Sequence, residues 1–318
     1  MIFRTGLLAD VPLLLRERGW EEFELLGTPR SLATVPSDLG SVAVHEVAPG
    51  GVPKAAGSII DAVRAADLVA LGGGRVIDAA KAIAAVRGGR VCAIPTTLSG
   101  APMTAIHRLP EGHSAPHLVR PALVLADPET MTGLAEQPLR ATAVNALAHG
   151  AESLYTPLAN PVAELAALRG AALIAVALDH DRTERDRAAL ALGAILCGYA
   201  VDSTGFALHH VLCQTLVRVC GIPHAETYAV MLPRTMEAMR DRAPAAIASL
   251  AEALGTDPKR IGKRIEELGG GPRRLGELGA DPGCRAEVIE VAMQRDQLAM
   301  TPNPPGPAEI AAILESAW

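Results

Sequence analysis

The feature that most constrains this chain is a change of rhythm near residue 133. Before it, short apolar runs alternate with helical patterns; after it, the strand-like runs stop. Segments 22–28 (EFELLGT), 41–47 (SVAVHEV), 67–74 (DLVALGGG), 90–97 (RVCAIPTT) and 122–128 (ALVLADP) read as strands. Helical patterns lie between them, clearest over 54–66 and 76–87. Strands separated by helices need crossover connections, which implies a parallel sheet. Downstream, segments 136–155, 161–178, 184–201, 204–218, 226–239, 243–254, 258–268, 284–299 and 307–317 carry helical periodicity or alanine-rich composition. The pattern predicts an α/β domain over 1–132 followed by an all-α domain over 133–318.

Composition narrows the partners. Aromatic residues make up only 3% of the chain, so alanine and aliphatic side chains must fill both cores. The net charge is −6 and no basic run exists, which argues against nucleic acid or an anionic membrane surface as partner. The 5 cysteines are odd in number, and four lie in hydrophobic segments. That predicts reduced thiols in a cytoplasm, not a disulfide framework. The N-terminus lacks the continuous apolar core of a signal peptide, and no run reads as membrane-spanning, so the expectation is a soluble cytoplasmic protein.

Two constellations carry chemistry. Asn145 and His149 are four apart in ATAVNALAHGAESLY, which places both on one helical face. His210 lies in a second helical stretch, GFALHHVLCQTLV, and His224 follows Pro223, which should close it. Three imidazoles and an oxygen donor from separate elements form the ligand pattern of a first-row metal such as Fe or Zn. An amide oxygen does not neutralise the metal's charge, so Asn145 weakens that reading. Glu152, one turn after His149, either orients the imidazole or faces solvent, and His209 should point away from His210.

The other constellation is Gly72-Gly73-Gly74, which follows a strand and opens a helix. Glycines there let the backbone approach a pyrophosphate, whose charge meets the amides of the helix N-terminus. It is not the G-x-G-x-x-G fingerprint, and a tight turn is the alternative. Asp78 and Lys81 lie on the first turns of that helix, and Thr96 and Thr97 end the next strand, where hydroxyls can meet phosphate or ribose. Thr28 ends the first strand of the set, with no acidic residue beside it to hold a ribose diol. Arg30 nearby suits a 2′-phosphate, so NADH and NADPH both stay open.

These residues, in the motifs GGGRVIDAAKAIA, IPTTLSGAPMT, NALAHGAE, ALHHVLCQTL and IPHAET, resemble the iron-containing (group III) alcohol dehydrogenase superfamily. The stretches 147–162, LGAILCG (192–198), PHAETYAVMLP (223–233) and PNPP (302–305) are similar to its maleylacetate reductase branch. The resemblance covers the whole chain in order. It implies the dehydroquinate synthase-like, group III alcohol dehydrogenase fold: a Rossmann-like α/β domain, then an all-α catalytic domain. It also implies an NADH- or NADPH-dependent reductase acting on the 2-ene of maleylacetate or a related small molecule, and a homodimer.

Carried over, Gly72, Gly73, Gly74, Asp78, Lys81, Thr96 and Thr97 match the cofactor positions. Asn145, His149, His210 and His224 match the four metal positions, with asparagine where the alcohol dehydrogenases have aspartate. In the reductase branch imidazolium or N–H donors would instead stabilise a developing enolate. Gln214 stands where the family has a histidine near the nicotinamide; Arg75 and Ala101-Pro102 also depart from its pattern. The family's first strand is expected to be missing before MIFRTG, which bears on the dimer contact. Arg75, Arg108, Arg120 and Arg140 are candidates for binding a substrate carboxylate. Two other readings stay open: a metal-dependent alcohol or aldehyde dehydrogenase, and a diverged biosynthetic cyclase, lyase or binding protein without hydride transfer.

Overall fold

A computed structural model describes residues 1–34, 39–181, 183 and 185–318. Its internal contacts divide them into two compact units, Met1–Leu134 and Ala135–Trp318.

The first unit holds strands β1 (Ile2–Phe3), β2 (Phe23–Gly27), β3 (Ala43–Glu46), β4 (Asp67–Gly72), β5 (Val91–Pro95) and β6 (Leu123–Ala126). Its helices are α1 (Val11–Arg16), α2 (Pro29–Leu32), α3 (Val52–Gly57), α4 (Gly74–Arg87) and α5 (Pro128–Met131). The strands form one sheet in the order β1-β6-β5-β4-β2-β3, and every pairing is parallel. Strands β4, β5 and β6 are apolar on both faces because both are covered. Leu25, Val69, Leu71, Cys92, Ile94, Leu123 and Leu125 point to one side, where they meet Leu7, Val11 and Leu15. Alternate residues face the opposite way.

All five expected strands are present, trimmed at their ends. The edge strand β1 carries no pattern of its own; pairing with Leu125 and Ala126 of β6 makes it a strand. Helix α3 stops at Gly57, short of the expected 54–66, and turns follow. Glycine is a poor residue for propagating a helix.

The second unit is helical throughout: α6 (Glu136–Ser153), α7 (Pro161–Asp179), α8 (Arg187–Thr204), α9 (Leu208–Cys220), α10 (His224–Met239), α11 (Pro244–Ala253), α12 (Ile261–Gly269), α13 (Arg285–Met293) and α14 (Pro307–Ala317). With few aromatics to space them, α6, α7 and α8 meet through glycine and alanine. A Cβ at Gly170 would stand 2.8 Å from the Gly193 carbonyl and 2.7 Å from Cys197 Sγ; one at Gly150 would stand 2.8 Å from the same sulfur. Gly205, at φ 73°, ends α8, and α9 leaves at 101° to it. That bend is why the expected helix at 204–218 begins only at Leu208.

Two expectations are corrected. Not every cysteine is a thiol: Cys220, at the end of α9, is bonded to Cys284, just before α13. Packing of α13 on α9 brings together residues 64 apart in sequence, which spacing does not reveal. Cys92, Cys197 and Cys213 are free and buried. Nor is spanning length absent: α7 has 19 residues and a mean hydropathy of 1.7 in its most apolar window. Its leucines, valines and isoleucine supply most of this, and Ala163, Ala167, Ala171 and Ala175 are buried among neighbouring helices.

Candidate functional site

The first unit's site lies where strand order reverses. From β2 the chain steps outward to β3, then crosses back to β4 on the other side of β2. Open parallel sheets bind ligands at the carboxyl ends of strands beside such a switch point. Gly27 pairs with Leu71 and Gly72 with Pro95, so Thr28, Gly72–Gly74 and Thr96–Thr97 all leave the sheet at that end. Thr96 N–H donates to Gly72 O at 3.0 Å, joining the two loops. Gly73 caps α4 in an extended conformation with no side chain on the helix amides. A Cβ on Gly73 would meet Thr97 Cγ2 at 2.9 Å, and one on Gly74 would meet Ser99 Oγ at 3.1 Å. A side chain at either position would have to displace Thr97 or Ser99. Ser99 Oγ and Arg75 Nε beside it are buried polar atoms without a partner. A bare helix N-terminus, a glycine cradle and unpaired donors suit a pyrophosphate.

Thr28 is partly committed elsewhere: its hydroxyl accepts from Ser31 N–H at 3.2 Å as the cap of α2. Lys81 requires a correction. It is 0% exposed, and its Nζ donates to the carbonyls of Ala101 (3.0 Å), Thr104 (3.0 Å) and Ile106 (2.9 Å). Asp78 pairs with it at 2.7 Å. Burial pulls the ammonium below its ordinary value, and Asp78 opposes that. Lys81 fastens the 101–106 segment and offers no donor to a cofactor.

In the second unit, α6 supplies Asn145, His149 and Glu152, and α9 supplies His210 and Gln214. Asn145 Oδ1, His149 Nδ1 and His210 Nε2 are all buried without a hydrogen-bond partner. Three such atoms from three of the four expected site residues mark a place built for a ligand. The His149 and His210 rings stack with centroids 4.9 Å apart, and Phe206 stacks against His210 at 4.1 Å and lies 6.3 Å from His149. Tyr228, from α10, meets His210 edge-on at 5.1 Å. His224 opens α10 with its ring 4.3 Å from that of Tyr228.

Glu152 is fully buried and organises the cluster. It accepts from His209 N–H at 2.7 Å, from the Tyr155 hydroxyl at 3.2 Å, and from His210 Nδ1. Ala207 gives α9 no side-chain cap, so this carboxylate from α6 takes that place. Burial raises the Glu152 carboxyl, against the hydrogen bonds it accepts. Burial also pushes His149 and His210 well below the ordinary histidine value. Of the two options, imidazolium or neutral N–H donors, this direction favours the neutral donors. With His210 Nδ1–H given to Glu152, Nε2 turns a lone pair toward the site. His209 points away, onto Thr235 Oγ1 at 3.0 Å.

A resident metal does not fit these residues. Among the described residues, no three of His, Cys, Asp or Glu converge to hold one. The His149 and His210 rings lie nearly parallel, with their planes 22° apart, and Asn145 brings no charge to offset a metal's.

Gln214 accepts from Arg295 Nη2 at 2.6 Å. Arg295 was missed in the sequence because it lies 81 residues away, in the break between α13 and the next turn. Arg140, a candidate carboxylate binder, is instead a brace: it donates to Leu268 O (2.9 Å) and Leu178 O (3.1 Å) and pairs with Glu136.

Comparison with known proteins supplies the context. Residues 140–318 match the C-terminal Fe-containing alcohol dehydrogenase family, and residues 31–129 match the iron-containing alcohol dehydrogenase family. Maleylacetate reductase of Pseudomonas sp. (strain P51) is 33% identical over 275 residues, covering 80% of this chain and 78% of that protein. The crystal structure of maleylacetate reductase from Agrobacterium tumefaciens superposes with a TM-score of 0.88 at 30% identity, over 100% of this chain and 95% of the other. That from Rhizobium sp. strain MTP-10005 gives the same TM-score of 0.88, at 30% identity and the same coverage, 100% and 95%. The chain belongs to the iron-containing alcohol dehydrogenase family, on its maleylacetate reductase-like branch, and is an NAD(P)H-dependent oxidoreductase.

Proposed function

We propose that this chain reduces the carbon–carbon double bond of a small unsaturated oxo-carboxylate of the maleylacetate type, without a resident metal. The observation that carries this reading is the trio of unpartnered buried atoms, Asn145 Oδ1, His149 Nδ1 and His210 Nε2, among neutral imidazoles. NADH or NADPH, when bound, supplies the hydride. The glycine turn and α4 N-terminus hold its pyrophosphate, with Thr97 and Ser99 beside them. Hydride addition to an enone places negative charge on the carbonyl oxygen, so the protein must present hydrogen-bond donors there. A neutral His149 with its proton on Nδ1 is one such donor, and the Asn145 carboxamide is another when its N–H2 end faces the site. His210 Nε2 accepts a substrate or water hydroxyl, and Glu152 fixes its tautomer from behind. Solvent then protonates the carbon next to the carbonyl.

Relatives named for maleylacetate reduction support the substrate class. The test is oxidation of NADH and NADPH, followed by absorbance, with maleylacetate against a simple alcohol–aldehyde pair. Turnover of maleylacetate that survives a chelator is expected. Activity only with added Fe or Zn, and only on the alcohol, would sink the proposal and favour a metal-dependent alcohol dehydrogenase. Asn145→Asp gives that alternative its best chance, since it restores an anionic donor.

A further inference from the structure

Arg75 stands where an arginine is unfavourable. It is the second residue of α4, whose first turn contains no acidic side chain. A cation there opposes the positive end of the helix dipole. Arg75 is half-buried, its Nε is buried without a hydrogen-bond partner, and among the described residues its guanidinium has no ion pair. A partly buried charge without a counter-charge costs stability. Asp78, one turn further on, gives its carboxylate to Lys81. Lys81, the other cation near the start of α4, is spent on that pair and on three carbonyls. Val76 N–H and Ile77 N–H both bond Gly73 O, at 3.0 and 3.2 Å, which leaves Gly74 N–H and Arg75 N–H without an acceptor in the helix. Ser99 Oγ is buried and unpartnered too, and it would lie 3.1 Å from a Cβ on Gly74, beside the same turn.

We infer that Arg75 is a phosphate-binding cation which this chain adds to its glycine turn, so that the diphosphate of NADH or NADPH is held by a side-chain charge as well as by backbone amides. This rests on the placement of the cofactor pyrophosphate at the turn, and not on the choice of substrate. An anion at the turn relieves every defect at once. It supplies the missing counter-charge, can accept from the two open amides and the Ser99 hydroxyl, and complements the helix dipole that the arginine alone opposes. A guanidinium also offers phosphate two parallel N–H donors, where a lysine is a single point charge. Arg75 departs from the family's pattern, so the added charge is this chain's own. The unliganded turn is less stable than a neutral residue would make it, and binding restores what the arginine costs.

Titration calorimetry on the full chain with ADP-ribose, the cofactor without its nicotinamide, measures this apart from any turnover. Arg75→Ser is expected to weaken ADP-ribose by about 10–100-fold, the effect of losing charge-assisted hydrogen bonds, and Arg75→Lys by less. Without ligand, Arg75→Ser should melt no lower than wild type, because the charge it removes opposes the helix dipole. Added salt should weaken ADP-ribose more steeply in wild type than in Arg75→Ser. Affinity within about 2-fold of wild type in Arg75→Ser overturns the inference, as does a salt dependence equal in the two proteins. A lower melting temperature for the unliganded variant also overturns it, since that assigns the arginine to the fold. Gly73→Val, which fills the space beside Thr97, separates the two readings. If it abolishes binding while Arg75→Ser does not, the diphosphate sits at the glycine turn and only the role of Arg75 falls. If ADP-ribose binds Gly73→Val as tightly as wild type, the placement of the cofactor falls, and the inference with it.

Discussion

Glutamine at position 152 should leave the fold nearly intact and disable the site. Glu152 is 0% exposed and serves three donors: His209 N–H at 2.7 Å, the Tyr155 hydroxyl at 3.2 Å, and His210 Nδ1. In Glu152→Gln the amide oxygen must serve the backbone N–H, because only an acceptor can. The amide N–H2 then faces His210 Nδ1, which becomes an acceptor, and the ring's proton moves to Nε2. Charge-assisted bonds are lost, at a cost of about 1 kcal/mol each, while the penalty for burying a carboxylate disappears. These offset one another, so stability should move by no more than about 1 kcal/mol, or roughly 2–4 °C in Tm. The site atom, however, changes from lone pair to donor. General acid–base roles contribute about 10²–10⁴-fold, and kcat should fall within that range.

Glu152→Ala is the contrasting case. It strands three buried donors at about 1–3 kcal/mol each and should lower Tm by 10 °C or more, on the order expected from that sum. The assays are NAD(P)H oxidation, thermal melting, and 15N NMR of the His210 ring, where the protonated nitrogen is read directly. Glu152→Gln with kcat within about 3-fold of wild type, or with the proton still on Nδ1, would refute the reasoning.

Other outcomes follow from the same physical terms. Thiol titration of the denatured, unreduced chain should find only Cys92, Cys197 and Cys213 reactive. Reduction opens a 64-residue loop, and on chain-entropy grounds that lowers stability by about 4 kcal/mol; an unchanged melt with reductant would contradict it. The Glu136 carboxyl is pulled down to about 2, first by its hydrogen bond to Arg185 and then by Arg140. Its contribution is therefore fully present above the ordinary 4.5 and is lost as pH falls through 2; Glu136→Gln should flatten acid unfolding across that window. Gly170→Ala should cost about 1–3 kcal/mol, because the added methyl group strikes the Gly193 carbonyl. Gly276→Ala meets nothing within 4 Å and should be silent in the same melt.

What the sequence discloses here follows from range. The strands β2 to β6 and the long helices announce themselves through local periodicity, and the asparagine and histidines through spacing within α6 and around α9. The Gly72–Gly74 turn is legible because three glycines between a strand and a helix mark a tight turn or a close backbone approach. Partners distant in the chain are not legible. Nothing local says that Lys81 is swallowed by three carbonyls, that Cys220 finds Cys284, or that Gln214 selects Arg295. Glu152 was visible as one turn beyond His149, but its capping of α9 needed the bend at Gly205. The charge of the histidines is hidden for a related reason: burial, which disfavours the charged ring, is a property of the assembled cluster.

The glycine seam between α6, α7 and α8 bears on how relatives of this protein should be read. Gly150, Gly170 and Gly193 have no room for a side chain, so drift at these positions is blocked as firmly as at any chemical group. In an alignment of descendants they would stand out as invariant, alongside His149 and His210. Invariance would then report two separate debts, one to chemistry and one to architecture. A lineage that abandoned reduction would be expected to keep the glycines and release the histidines, and that asymmetry would date the loss of activity.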